Sequence, residues 1–169
     1  LPLLGAHQAT NAGVAVALAR AVADPDDEAV GRGLRNAHWP GRFEVMGRDP
    51  LVVLDGAHNP GGCECVADTL ASFDYDDCHL VVGAMADKDH RGIARAFADV
   101  DHVVACEPDR NRAEDDDVLA RVFEAETREG TRVETRADVA GAVDVALAAA
   151  DADDCVLGTG ALYAVAEAR

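Results

Sequence analysis

Asp55 and His58 stand in the segment LDGAHNP, Lys88 and Asp89 close GAMADKD, and Gly158-Thr159-Gly160-Ala161 follows an apolar run near the end of the chain. Carboxylate, imidazole and ammonium groups hold hydroxyls, carboxylates and phosphoryl oxygens, or move protons between them. Glycine turns add backbone N–H groups suited to an anion. Asp55 can hold a ribose hydroxyl, a metal ion or an imidazole, or it can simply cap its turn. Lys88 can equally be a solvated lysine between two aspartates, and the glycines can be tight turns that let strand and helix pack closely. Lys88 is the only lysine of the chain. A composition that avoids lysine everywhere else has kept one here, which argues for its chemistry.

These residues need elements to hold them. Leu51 to Leu54 is a continuous apolar run of the kind that a strand covered on both faces shows, and Asp55-Gly56 breaks it. Asn59 is a good N-cap and Pro60 a good first helical residue, so a helix is expected over Gly61 to Phe73, with an anion-attracting amino terminus. Alternation of this kind continues from Phe43 onward. Strands are expected at Phe43–Met46, Leu51–Asp55, His79–Met85, Asp101–Cys106, Thr131–Thr135 and Cys155–Gly160. Helices are expected at about His90–Phe97, Asp115–Arg128, Asp138–Ala149 and over the closing ALYAVAEAR. The predicted fold class is α/β, a Rossmann-like, mostly parallel sheet with helices on both faces. Asp55, His58, Lys88, Asp89, Gly160 and Ala161 then all follow the carboxyl ends of strands, the edge at which open α/β sheets bind ligands. They should share one rim.

Before Phe43 the composition differs. A small-residue helix runs from about Gln8 to Val22, Asp24-Pro25-Asp26-Asp27 ends it and caps a second helix to about Asn36, and HWPGR, His38 to Arg42, reads as a linker. Residues 1–23 are a poor start for an independent domain and 24–42 connect them to a domain over 43–169. The first residue is leucine, no secretory leader follows, and the whole is expected to be part of a longer chain.

The formal net charge is −17, from 32 acidic against 15 basic residues, and 49% of residues are hydrophobic. A core can be buried. Such a charge argues against nucleic acid and anionic membranes as partners, and no apolar run is long enough to cross a bilayer. The acidic residues are spread along the chain, the pattern of a salt-rich, halophile-type cytoplasm in which ions screen the repulsion. The five cysteines are odd in number and lie mostly in apolar stretches, so they read as reduced and buried. Cys63-Glu64-Cys65 lacks a second pair to complete a metal site. Neither a G-x-x-x-x-G-K-[ST] cradle nor a G-x-G-x-x-G after the first strand is present, so dehydrogenase and hydrolase readings are weak.

The ordered set LLGAHQATNAGVAVA, WPGR, DGAHNP, GAMADKD and TGALY resembles folylpolyglutamate synthase and dihydrofolate synthase, members of the Mur ligase superfamily, over nearly the whole chain. The resemblance implies the Mur ligase C-terminal type of domain after a remnant of the central ATPase domain. It implies ATP and Mg²⁺ as cofactors, held mostly by a P-loop domain present in cis or in trans. It also implies an acyl phosphate made on a folate or dihydropteroate carboxylate and attacked by the amino group of L-glutamate. Carried over by motif, Asn11 contacts the adenine, Arg42 the nucleotide phosphates and Asp55 the ribose. His58 and Lys88 are the catalytic candidates and, with Asp89, Gly160 and Ala161, face glutamate and the phosphate region. No residue of this chain is assigned to the metal. Ala161 departs from the serine usual at this point of the family motif, which costs one hydrogen bond, roughly a factor of ten if unreplaced. The competing reading is a non-catalytic Rossmann-like binding or interaction domain, or another Mur-type amino-acid ligase.

Overall fold

The apolar runs become neighbouring strands of one sheet because only burial on both faces removes so many branched side chains from water. In the computed structural model, which describes residues 1–169, the strands are β1 (Glu44–Arg48), β2 (Leu51–Leu54), β3 (Cys78–Val82), β4 (His102–Cys106), β5 (Arg132–Arg136) and β6 (Cys155–Thr159), in the order β1-β2-β6-β3-β4-β5. All pairs are parallel except β1 with β2. Those two form a hairpin closed by Asp49-Pro50, so Gly47 and Arg48, expected in the turn, pair with Val52 and Leu51 instead. The last strand, β6, is inserted between β2 and β3.

Period-2 alternation sends successive side chains to opposite faces. Leu80 and Val82 of β3 meet Val66, Ile93, Phe97, Leu119 and Phe123 from α3 (Pro60–Leu70), α4 (His90–Ala96) and α5 (Asp116–Glu126), while Val81 meets Val139, Ala142 and Ala164 from α6 (Val139–Ala149) and α7 (Leu162–Ala168). This is a helix–sheet–helix sandwich, as expected. Its helices start on short acidic or amide side chains: Asn59, Asp89 and Asp138 each accept from the backbone N–H three residues on. The acidic composition thus supplies caps, each contributing about 1 kcal/mol.

Several boundaries are tighter than expected. β3 ends at Val82 and not Met85: the Gly83 N–H to the carbonyl of Thr159 is the last rung of its ladder with β6. α3 ends at Leu70 and not Phe73, where Ser72 and Phe73 donate to Thr69 and Leu70 in a closing turn.

At the amino end, α1 (Ala6–Ala23) and α2 (Asp27–Arg35) lie outside the sandwich. α1 buries one side chain, Gln8, and leaves Val14, Leu18 and Val22 exposed. Its apolar residues are spread around the helix, so no single face could be covered by this sheet alone. No helix is long and apolar enough to cross a membrane.

Candidate functional site

Parallel strands put their carboxyl ends on one edge, and β2, β6 and β3 are immediate neighbours. The loops after them are stitched together by backbone. Asp55 donates its N–H to Gly158 O (3.0 Å), Gly160 donates to Ala57 O (2.9 Å), and Gly83 donates to Thr159 O (3.2 Å). The hydroxyl of buried Thr159 adds a bond to Ala57 O at 3.3 Å. Gly160 has φ +102°, and a Cβ there would lie 2.6 Å from Gly83 O, so only glycine permits this approach. The expected common rim is therefore real.

Its parts play distinct roles. Asp55 is 4% exposed, and its two carboxylate oxygens accept from Phe43 N–H and Ala57 N–H, both at 2.7 Å. Burial raises its pKa, opposed by those two N–H groups and by the nearby Arg42 guanidinium. Each oxygen retains a lone pair for a further donor. Phe43, at φ +44°, is turned so that its N–H meets this carboxylate. One acid thereby ties the linker to the loop after β2.

A cavity of about 400 Å³ opens beside Asp55, lined by Asn11 and Arg42 together with His7, Gln8, Trp39 and Val66. Asn11, Arg42 and Asp55 come from α1, the linker and the rim, yet they converge on this one cleft. Asn11 donates to Gln8 Oε1 (3.3 Å), and Gln8 Nε2 lies 3.0 Å from His7 Nε2. Gln8, His7 and Trp39 were not anticipated as site residues, since nothing in their local pattern says that the start of α1 folds back toward α3. A Cβ on Gly5 would lie 2.7 Å from Thr69 Oγ1, which shows how closely it does.

His58, half-buried, has Nδ1 at 2.9 Å from Gly56 O. A carbonyl only accepts, so Nδ1 carries the proton and a neutral ring keeps its lone pair on Nε2. Lys88 sits beside Asp87 at 3.3 Å, and this contact leads the causes that lower the Asp87 pKa. His58 and Lys88 occupy the same rim without hydrogen-bonding each other. The rim also brings α3 and α4 together at their starts, where a Cβ on Gly92 would meet the Pro60 ring at 2.4 Å.

Three of the sequence candidates have structural duties. Asp89 caps α4 through Gly92 N–H at 2.9 Å. Gly160 spends its N–H on Ala57, so it offers no free donor there. Ala161 is buried against the α6 and α7 side of the core and begins α7 without a side-chain cap. Arg110 and Arg112, in the loop after β4, line a second polar cavity of about 390 Å³ with Met85, Asn111 and Tyr163. Arg110 lies over the Tyr163 ring at 4.5 Å, and Arg112 reaches toward Asp87 at 3.9 Å. Sequence reasoning missed both arginines, although two cations in a chain so poor in them are a readable signal. The five cysteines are free, with Cys63 buried in α3 and its thiol pushed up to about 12 by burial.

Residues 41–162 match the family model described as Mur ligase, glutamate ligase domain. The chain is 64% identical over 169 residues to a Halobacterium salinarum protein described as a probable bifunctional folylpolyglutamate synthase/dihydropteroate synthase, and 61% identical to a protein of the same description from Haloferax volcanii. All of this chain is covered in both comparisons, and it spans about 20% of the length of each relative. Among solved structures, Mycobacterium tuberculosis folylpolyglutamate synthase complexed with ADP and AMPPCP superimposes with a TM-score of 0.90 at 36% identity, over 100% of this chain and 40% of that one.

Proposed function

We propose, from the premise that this chain belongs to the Mur ligase family and carries its glutamate ligase domain, that it is the amino-acid side of an ATP-dependent ligase joining L-glutamate to a folate or dihydropteroate carboxylate. The observation that carries this reading is the cleft where Asn11, Arg42 and Asp55 converge from three separate segments, on the rim that also holds His58 and Lys88. An adenine nucleotide needs an amide for its base edge, a carboxylate for ribose hydroxyls and a cation for its phosphates. Asn11, Asp55 and Arg42 are those groups, and Trp39 and Val66 add apolar wall. When bound, ATP with Mg²⁺ supplies the phosphoryl group that turns the carboxylate into an acyl phosphate.

The chain's own residues do the rest by position and charge. Lys88 neutralises a carboxylate of glutamate or the phosphate region, and His58 offers the Nε2 lone pair to the amino group. That amine needs to lose a proton as it forms the C–N bond and phosphate leaves. Asp89 and Gly160 contribute by fixing the loops, and Ala161 by packing, with no hydroxyl for the amino acid. The phosphate cradle is not in this sequence, so the P-loop domain must be joined in cis or supplied in trans, and the chain alone should turn over no ATP.

The test exchanges the corresponding segment of the Halobacterium relative for this chain and measures glutamate incorporation. Lys88→Ala and His58→Ala should each lower kcat/KM for glutamate by about 30-fold to 1000-fold, on the order of 2 to 4 kcal/mol, with the melting temperature nearly unchanged. Near-normal glutamate kinetics in both variants would favour a non-catalytic binding domain.

A further inference from the structure

At the opposite, amino end of the strands the sheet holds a row of four titratable side chains, three of them buried, that the proposed reaction does not use. Asp154, just before β6, lies 3.3 Å from His79 Nε2 on β3, His79 Nδ1 lies 3.1 Å from His102 Nδ1 on β4, and His102 Nε2 lies 2.9 Å from Glu134 on β5. The two imidazole side chains are only 8% and 4% exposed. The row crosses four neighbouring strands in the order β6-β3-β4-β5.

The hydrogen positions follow from the partners. Ionised carboxylates accept only, so both Nε2 atoms must donate, and two Nδ1 atoms can bond each other only if one has a proton and the other a lone pair. That is three protons on four ring nitrogens, one neutral ring and one imidazolium. With one proton fewer, either a ring lone pair faces a carboxylate or the two Nδ1 lone pairs face each other. With one more, two N–H groups face each other at 3.1 Å. We propose that His79 and His102 share a single proton, making Asp154–His79–His102–Glu134 an acid-sensitive strap that binds four strands together and loosens when a second proton enters.

The carboxylates at the two ends of the row favour a proton on each Nε2. Burial lowers the pKa of His102, with Arg132 and His79 acting the same way and Glu134 opposing, so the site resists a further positive charge on that ring. Glu134 feels burial raising its pKa, but His102, Arg132 and Arg136 outweigh it and hold it ionised. Asp154 is held low first by the Asp151 N–H and is further bonded by the Asp77 N–H. Asp101, beside His102, is occupied by the Cys78 N–H and by Arg128. Helix α6, packed on β3 and β4, carries only Asp138, its own cap, and exposed Asp144 as titratable groups.

The native pair holds one proton while the unfolded chain can bind one on each ring, so below about pH 6.5, the ordinary value for histidine, the unfolded chain binds more protons and stability falls. Nitrogen-15 NMR of the histidine side chains in the whole chain at pH 7 should show both Nε2 atoms protonated and the two Nδ1 atoms sharing one proton. Two neutral rings, or two full imidazolium ions, would overturn the proposal. Between pH 7 and pH 5 the melting temperature should drop by about 2 to 4 °C relative to that of the double variant His79→Gln/His102→Gln. An equally steep drop in the double variant would also overturn it. If that variant does not fold, the NMR count alone settles the matter.

Discussion

Replacing Asp55 with Asn keeps the shape of the side chain and reverses one of its contacts. Both carboxylate oxygens accept backbone N–H groups at 2.7 Å, and an amide can satisfy only one of them. The other N–H then faces an NH₂. Loss of one charge-assisted bond and desolvation of the orphaned N–H together cost about 3 to 4 kcal/mol, and removing a buried charge returns about 1. The net loss of about 2 to 3 kcal/mol corresponds to a fall in melting temperature of about 4 to 12 °C for a chain of this size. Circular dichroism melts in concentrated KCl measure it. The pH dependence has a definite sign. The Asp55 pKa is raised in the folded state above 3.8, so the native chain gains stability from this group as pH falls through that window, and Asn gains none. The gap between the two proteins should widen from pH 7 to pH 4. A variant melting within about 1 °C of the parent would refute the assigned bonding, and a gap that narrows on acidification would refute the dominance of burial over the two N–H groups.

Gly160→Ala should lower the melting temperature by about 4 °C or more, since it combines strain at φ +102° with a Cβ 2.6 Å from Gly83 O, and a neutral result in a thermal melt would show that the loops can separate. Leu18→Asp with Val14→Asp, at side chains that are 63% and 56% exposed, should shift the melt by no more than about 2 °C in this chain; a larger loss would place α1 against the sandwich. Raising KCl through the molar range should increase the melting temperature, because screening relieves the self-repulsion of a net charge of −17, and a flat or falling curve would contradict that.

The sandwich was legible because its strands are short branched runs and its helices begin on Asn or Asp. Asn59 with Pro60 marks α3 to the residue. The common rim followed from strand ends alone, before any strand order was known. The order itself was not readable. Nothing local says that Cys155–Thr159 pairs with Leu51–Leu54, or that β1 turns back antiparallel through Asp49-Pro50, because these are choices made by packing between distant segments. For the same reason nothing in the sequence sets His79 against His102. Only pairing of β3 with β4 brings them face to face. At the site, Asp55, Arg42 and Asn11 were found through motif resemblance. Asp89 and Gly160 stand in the right motifs, yet their polar groups are spent on a cap and on a loop contact.

Because β6 lies between β2 and β3, the chain cannot complete its sheet in the order in which it is made. The β1–β2 hairpin and the β3–β4–β5 unit can each form on the ribosome, but Leu54 waits for Gly158 and Val81 for the same residue. Contacts so distant in sequence are slow to form, and two half-sheets with open edges persist until β6 arrives. Addition of β6 is thus the step that joins the halves, and the ligand rim comes into being in that same step.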